Sequence, residues 1–400
     1  MSTPAAHRTA GTAGRDAGQA IAATRKACGL TQRELARQAV ISLSLLRKIE
    51  QGSRPLTPEV RTALSAVLGP APDKSESAAA SERISSVLPQ LREAMDAYDI
   101  PADPPPFTKP LPQLRLMTGS ATAWRLASQY SRLAGLLPGL ITDLTTTALT
   151  RTGHEQEQAF GLLALAYRAA DAIADKHGCH DMSARATELI RWAAARSADP
   201  QLEMMSAYVR AELFFTGQQH ARTGLRMLDT ATGPAPPATE VTRLATHGAL
   251  CMRAAVLAAR AGIPEEAADR MAEARAAARH VPDGVYHGTA FGPSSVRVHE
   301  LALAVEIGDI SGAIRFAARW QPPQALPAER RSHFHIEAAR AHCWAGHRDQ
   351  AVTALWQARR VAPQHTRCNP AVGETVRTLI RGSRKPPLLL LQLANWIGLT

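Results

Sequence analysis

The chain has 400 residues, with 46 Lys and Arg against 35 Asp and Glu and a formal charge of +11. That length accommodates at least two cores, and a basic balance of this size favours a partner that carries phosphate. The longest apolar run, PPLLLLQLANWIGL near the C-terminus, is too short to span a bilayer, so no membrane role is expected.

In chain order, the first segment, residues 1–18, is rich in Ala, Gly, Thr and Ser and reads as a disordered arm. It lacks the apolar core of a secretory signal peptide. Five cysteines, Cys28, Cys179, Cys251, Cys343 and Cys368, lie far apart and form no CxxC pair. Reduced thiols and a cytoplasmic location follow as expectations.

Residues 31–52, TQRELARQAVISLSLLRKIEQG, are the most informative stretch. Leu35, Ala36 and Ala39 share one face of a short helix, which Thr31 opens with Glu34 at capping-box spacing. After a tight break a second helix begins at Ser42 and turns Leu46 and Ile49 back onto the first. Ser42, Ser44, Arg47 and Lys48 then point outward. Two short helices at a fixed angle, the second polar and basic outside, suit insertion into the major groove of DNA. Residues 1–69 hold ten Lys/Arg and four Asp/Glu, so the small N-terminal part carries +6 of the excess.

This segment, about residues 19–69, resembles the Cro/phage-repressor (XRE) helix-turn-helix family. IAATRKACGL matches the first helix with its Gly29-Leu30 exit, Ile49-Glu50-Gln51-Gly52 matches the end of the recognition helix, and Thr57-Pro58 opens a further helix to Gly69. The resemblance implies a five-helix-type domain with Thr31, Gln32, Ser42, Leu43, Ser44, Arg47 and Lys48 on DNA. Gln32 would bind backbone phosphate, and Arg25 would pair with Glu50. Two features depart from the family. Val40 stands where the turn usually carries glycine, a costly place for a β-branched residue at positive φ. Leu43 and Leu45 occupy outward positions; Leu43 either reads a thymine methyl group, or both leucines pack on protein.

Residues 70–112 read as a linker containing one helix, SERISSVLPQLREAMDAY, with Ile84, Leu88, Leu91 and Met95 at helical spacing, and a spacer, PADPPPFTKPLP, in which half the residues are proline. From Gln113 to residue 400 the chain is helical almost throughout, without a convincing strand, so the fold class is all-α. Small-residue turns recur at Gly178, Gly217, Gly262, Gly308 and Gly346, and the last three are followed five residues later by Ala267, Ala313 and Ala351. The unit AHCWAGHRDQAVTALWQARRVAP, closed by Pro363, resembles the tetratricopeptide (TPR) helix-pair repeat. A TPR-like α-solenoid of five or six helix pairs is expected. The arrangement as a whole is similar to an actinobacterial group of XRE-type regulators with a TPR-like C-terminal domain. That resemblance implies a transcription factor with a sensing or dimerising domain. Because one helix-turn-helix touches few base pairs, a homodimer on double-stranded DNA is expected, with a peptide, small molecule or protein as a further partner of the C-terminal domain.

Within that region TAFGPSSVRVHE places Ser294 or Ser295 where either would cap a helix, with Arg297 and His299 nearby to hold an anion or a peptide carboxylate. An ordinary capped loop is the plainer reading. His333, His335, His342, Cys343 and His347 cluster without zinc-type spacing, so neither metal nor cofactor is expected. Glycine-rich phosphate loops, GxSxG and HExxH are absent, and an enzyme is not expected. The alternative to a regulator is a TPR-type interaction module whose helix-turn-helix binds DNA only weakly.

Overall fold

The computed structural model describes residues 17–19, 21–26, 30–68, 74–100, 109–215 and 217–399. The expected N-terminal arm therefore lies outside the described residues, except for residues 17 and 18, which are helical. Most of the proline-rich spacer, residues 101–108, also lies outside them.

The first core is built from short, strongly capped helices. Thr31 and Glu34 cap Gln32–Gln38 reciprocally: the Glu34 amide donates to Thr31 Oγ1 at 3.2 Å, and the Thr31 amide donates to Glu34 Oε2 at 2.7 Å. Val40 then takes a left-handed φ of +53°. Its carbonyl-to-Cβ crowding is the strain expected where glycine would be at ease. Ser42 Oγ accepts from the Leu45 amide at 3.1 Å and starts the helix Leu43–Glu50, and Gly52, at φ +70°, lets the chain leave it. Leu35, Ala36, Ala39, Leu46, Leu64 and Leu68 meet in one buried cluster, with Pro58–Leu68 closing it from below.

Helix Lys74–Asp96 departs from the linker expectation. Ile84, Leu91 and Met95 are buried against the helices that follow, so this helix opens the larger core instead of spanning a gap. Residues separated by 3, 4 and 7 positions line one face, which gave them the pattern of a packed helix.

From Leu111 to Trp396 successive helices pack side by side, joined by tight turns. The five recurring glycines all sit in those turns with φ between +74° and +84°. Only glycine adopts that backbone freely, so the sequence period marks where the chain reverses. Ala267, Ala313 and Ala351 are buried where paired helices approach. Among the described residues the region is all-α apart from one short antiparallel hairpin, Gly284–Tyr286 with Thr289–Phe291, paired Val285 to Ala290. At three residues per strand it is too short for an alternating pattern to be visible in sequence.

The array also contacts itself across long sequence distances. The Ser131 amide donates to Gln364 Oε1 at 3.2 Å, Arg330 Nη2 donates to Tyr208 Oη at 2.8 Å, and Arg125 donates to the Gly288 carbonyl. In an open solenoid each repeat touches only its neighbours. Here the first helices meet the later ones around a shared interior.

Candidate nucleic-acid interface and a charged interior cavity

The helix Leu43–Glu50 turns Leu46 and Ile49 into the N-terminal core and leaves Ser42, Ser44, Arg47 and Lys48 exposed. Ser42 uses its hydroxyl as the cap, so Ser44, Arg47 and Lys48 are the polar side chains this helix offers outward. Leu43, whose sequence position allows either a thymine methyl contact or packing on protein, is half-buried and packs against the domain core. Thr31 is exposed but engaged with Glu34 through both its hydroxyl and amide.

Below this surface lies one polar knot. Arg25 Nε donates to Glu50 Oε1 at 2.7 Å and Arg25 Nη2 to Glu50 Oε2 at 3.1 Å, while Nη1 donates to the Leu30 carbonyl at 2.8 Å. Gln32 Nε2 also donates to Glu50 Oε2, at 2.7 Å. The Gln32 amide nitrogen is thus turned toward Glu50, and its position at the start of its helix is held by that bond. Among the described residues of this domain, Arg25–Glu50 is the sole ion pair; Arg33, Arg37, Arg47, Lys48, Arg54 and Arg61 are exposed with no carboxylate within bridging distance. Unneutralised cations on one small domain are what phosphate requires.

Residues 16–76 match the family model described as a helix-turn-helix domain. This segment is a helix-turn-helix domain. It marks the N-terminal part of the chain as that of a DNA-binding regulator. No curated protein matches the chain, and no described helix is long and apolar enough to cross a membrane.

Beyond the helix-turn-helix domain, the loop before Pro293–Glu306 is built differently from expectation. Its N-cap is Gly292, and neither Ser294 nor Ser295 caps the helix. Asp283 does so from outside: the Ser294 amide donates to Asp283 Oδ1 at 2.9 Å and Ser294 Oγ to Oδ2 at 2.6 Å. A carboxylate of this chain already occupies the positive end of the helix, so an external anion has no place there. Ser295 and His299 are buried, and His299 Nδ1 lies 2.9 Å from the Ser295 carbonyl. Burial, reinforced by the Arg330 guanidinium, pushes the imidazole down to about 3, leaving it neutral. Arg297 points away and stacks over Phe316 and Trp320.

The helices converge on a cavity of about 60 Å³ whose wall includes Arg125, Arg168, Lys176, Arg253 and Arg330 together with Asp171, Asp175, Glu212 and Glu329. Arg253 Nη2 donates to Glu212 Oε1 at 2.8 Å and its guanidinium lies 4.1 Å over the Tyr208 ring. Arg168 Nη1 donates to the His287 carbonyl at 2.9 Å, so the hairpin turn closes one end. Sequence reading missed this site, because its charges are scattered from Arg125 to Arg330 and no local spacing relates them.

Two further clusters have chemistry without a complete site. His247 Nε2 lies 3.5 Å from Cys251 Sγ, which donates to Glu273 Oε2 at 3.3 Å. Three such atoms are potential metal ligands, one short of a closed zinc site. Burial and the Glu273 charge push the Cys251 thiol up, so it stays protonated. The H-x3-C spacing on one helix was the available signal. Separately, His335 and His342 line an open groove with Gln321, Asp349 and Gln357. Of the tryptophans, Trp356 is buried in the C-terminal core and Trp320 packs against Phe334, whereas Trp344 is exposed under the Arg340 guanidinium.

Proposed function

We propose that the chain is a sequence-specific transcriptional regulator that binds double-stranded DNA as a homodimer, has no catalytic activity, and uses its TPR-like helical array for dimer contact and for sensing a signal or partner. The observation that carries this reading is the exposed row Ser44, Arg47 and Lys48 on the helix Leu43–Glu50, on a domain whose other surface cations have no carboxylate within bridging distance among the described residues. One recognition helix contacts few base pairs, so selectivity calls for two half-sites about one helical turn apart, about 34–36 Å, and a symmetric pair of chains. Two domains of the same strong positive charge repel, so the array supplies the dimer contact. Exposed Trp344, Leu388 and Leu391 support it as apolar surface.

A second reading, an interaction module with a weakened DNA contact, draws support from Leu43 packing inward and from the Gln32 amide engaged by Glu50. A gel shift of the full chain with DNA upstream of its own coding sequence separates the two. Tight, competitor-resistant binding with a two-half-site footprint is the expected result, and binding no tighter than to random DNA overturns it. Light scattering of the full chain tests the dimer, and a monomer at micromolar concentration ends that part of the proposal.

A further inference from the structure

Five cations and four carboxylates face the interior cavity; Lys176 pairs with Asp175 at 2.6 Å and Arg253 with Glu212 at 2.8 Å, but Arg168 and Arg330 are left without a carboxylate among the described residues. Arg168 is 8% exposed and, among the described residues, has no carboxylate within bridging distance; its bonded acceptor is the neutral His287 carbonyl. Arg330 likewise bonds a neutral group, the Tyr208 hydroxyl. Arg125 reaches Glu329 only at 3.9 Å. Arg253 Nε, Arg330 Nε and Thr289 Oγ1 are buried without a hydrogen-bond partner among the described residues. Buried guanidinium donors normally end on an acceptor, and planar arginine forks match carboxylate and phosphate oxygens best. We propose that this cavity binds a small oxyanion, the carboxylate or phosphate group of a small-molecule ligand, held by Arg168 and Arg330 with Arg253 and Thr289 beside them.

The surroundings agree with that assignment. Burial, then the Glu212 charge, raises Asp171 to about 7, so near neutrality it is partly protonated and the wall is more positive than its residue count. Burial and the adjacent Arg125 guanidinium lower Arg168 to about 9, the mark of a cation without its anion. The cavity holds a few waters or one small oxyanion, but not a peptide. The site draws on helices beginning at Leu111, Gly153, Pro200, Val241 and Ala328 and on the hairpin turn, so an anion there joins distant parts of the array. The proposal does not depend on DNA binding, which the gel shift reads separately.

Inorganic phosphate and acetate, each compared with chloride at equal ionic strength, are the probes on the full chain. Phosphate, acetate or both raise the melting temperature in a saturable way, and the preferred one names the group. Arg168→Met weakens that binding about tenfold or more. A rise equal in wild type and variant, or no rise over chloride with either probe, overturns the proposal. Tyr208 supplies a second readout on the native chain, in case Arg168→Met does not fold. Burial would raise its phenol, but Arg253 and Arg330 override this and hold it at about 8. An anion between those guanidiniums moves the phenolate absorbance midpoint upward, and a midpoint unmoved at saturating phosphate and acetate also overturns the proposal.

Discussion

Arg25 grips Glu50 through two parallel hydrogen bonds, of 2.7 and 3.1 Å, and both side chains are almost wholly buried, at 9% and 5% exposure. This fork ties the leading helical segment to the end of the recognition helix, and Gln32 joins the second helix to the same carboxylate. Removing the arginine strands a buried carboxylate, which costs about 3–5 kcal/mol where burial is complete. We expect Arg25→Ala to release hydrogen-exchange protection across residues 30–68 while leaving the array protected. Unchanged protection of those residues would contradict this role.

Val40 carries a β-branched side chain at φ +53° and is 91% exposed, so strain is not offset by packing. Val40→Gly relieves a left-handed cost of about 1–2 kcal/mol and loses some of it to the greater freedom of unfolded glycine. A net gain of about 0.5–1 kcal/mol should appear as a higher denaturant midpoint for the helix-turn-helix transition. A lower midpoint would show that the valine makes a stabilising contact.

Lys48 is exposed in the last turn of the recognition helix and is free of carboxylates among the described residues. If it neutralises one phosphate, Lys48→Ala lowers the slope of log affinity against log salt by about 1 for all sequences. If it reads guanine, the loss is about 1–3 kcal/mol at one base pair and the slope holds. Salt-series binding assays distinguish these, and an unchanged affinity removes Lys48 from the interface.

The array should weaken in acid. Burial depresses His299 to about 3 and His335 and His365 to about 4, and it lowers His333 well below the ordinary value. The unfolded chain binds these protons first, so the stability contribution is complete above about pH 6.5 and is lost as pH falls through the folded values. Asp171 and Glu337, held up at about 7 mainly by burial, act in the opposite sense but are fewer. Each net proton taken up on unfolding contributes about 1.4 kcal/mol per pH unit. Melting temperatures of the array should therefore drop steadily from pH 6 to about pH 4; a flat profile would mean that these imidazoles are solvated.

Asp283 holds the hairpin to the helix Pro293–Glu306 through both oxygens. Asp283→Ala removes a cap of about 1 kcal/mol and loosens the turn that presents the His287 and Gly288 carbonyls to Arg168 and Arg125. The array's melting temperature should fall by a few degrees, with phosphate affinity falling alongside it. Loss of stability with full phosphate affinity would separate the hairpin from the cavity.

Local chemistry made much of the fold legible. The cap at Thr31, the helix start at Ser42, the turn at Val40 and the five glycine turns each depend on residues within a few positions of one another, and backbone sterics act at that range. The apolar face of Lys74–Asp96 was legible too, although its role was not: periodicity shows that a helix is packed, not what it packs against. The Arg25–Glu50 fork spans 25 residues and became readable only through family resemblance. Helical spacing put Leu43 at an outward position but could not decide between DNA and protein as its contact, and the fold half-buries it against the domain core.

By itself, then, the sequence determined an all-α chain with a basic helix-turn-helix at its head and turns placed at its glycines. Tertiary structure alone decided that Asp283, not a serine, caps the helix after the hairpin, and that the array folds back on itself. It also decided that Arg125, Arg168, Arg253 and Arg330 share one buried space. Coulomb forces and desolvation act through space, so charges separated by more than a hundred residues acquire a common chemistry only when packing brings them within a few ångströms.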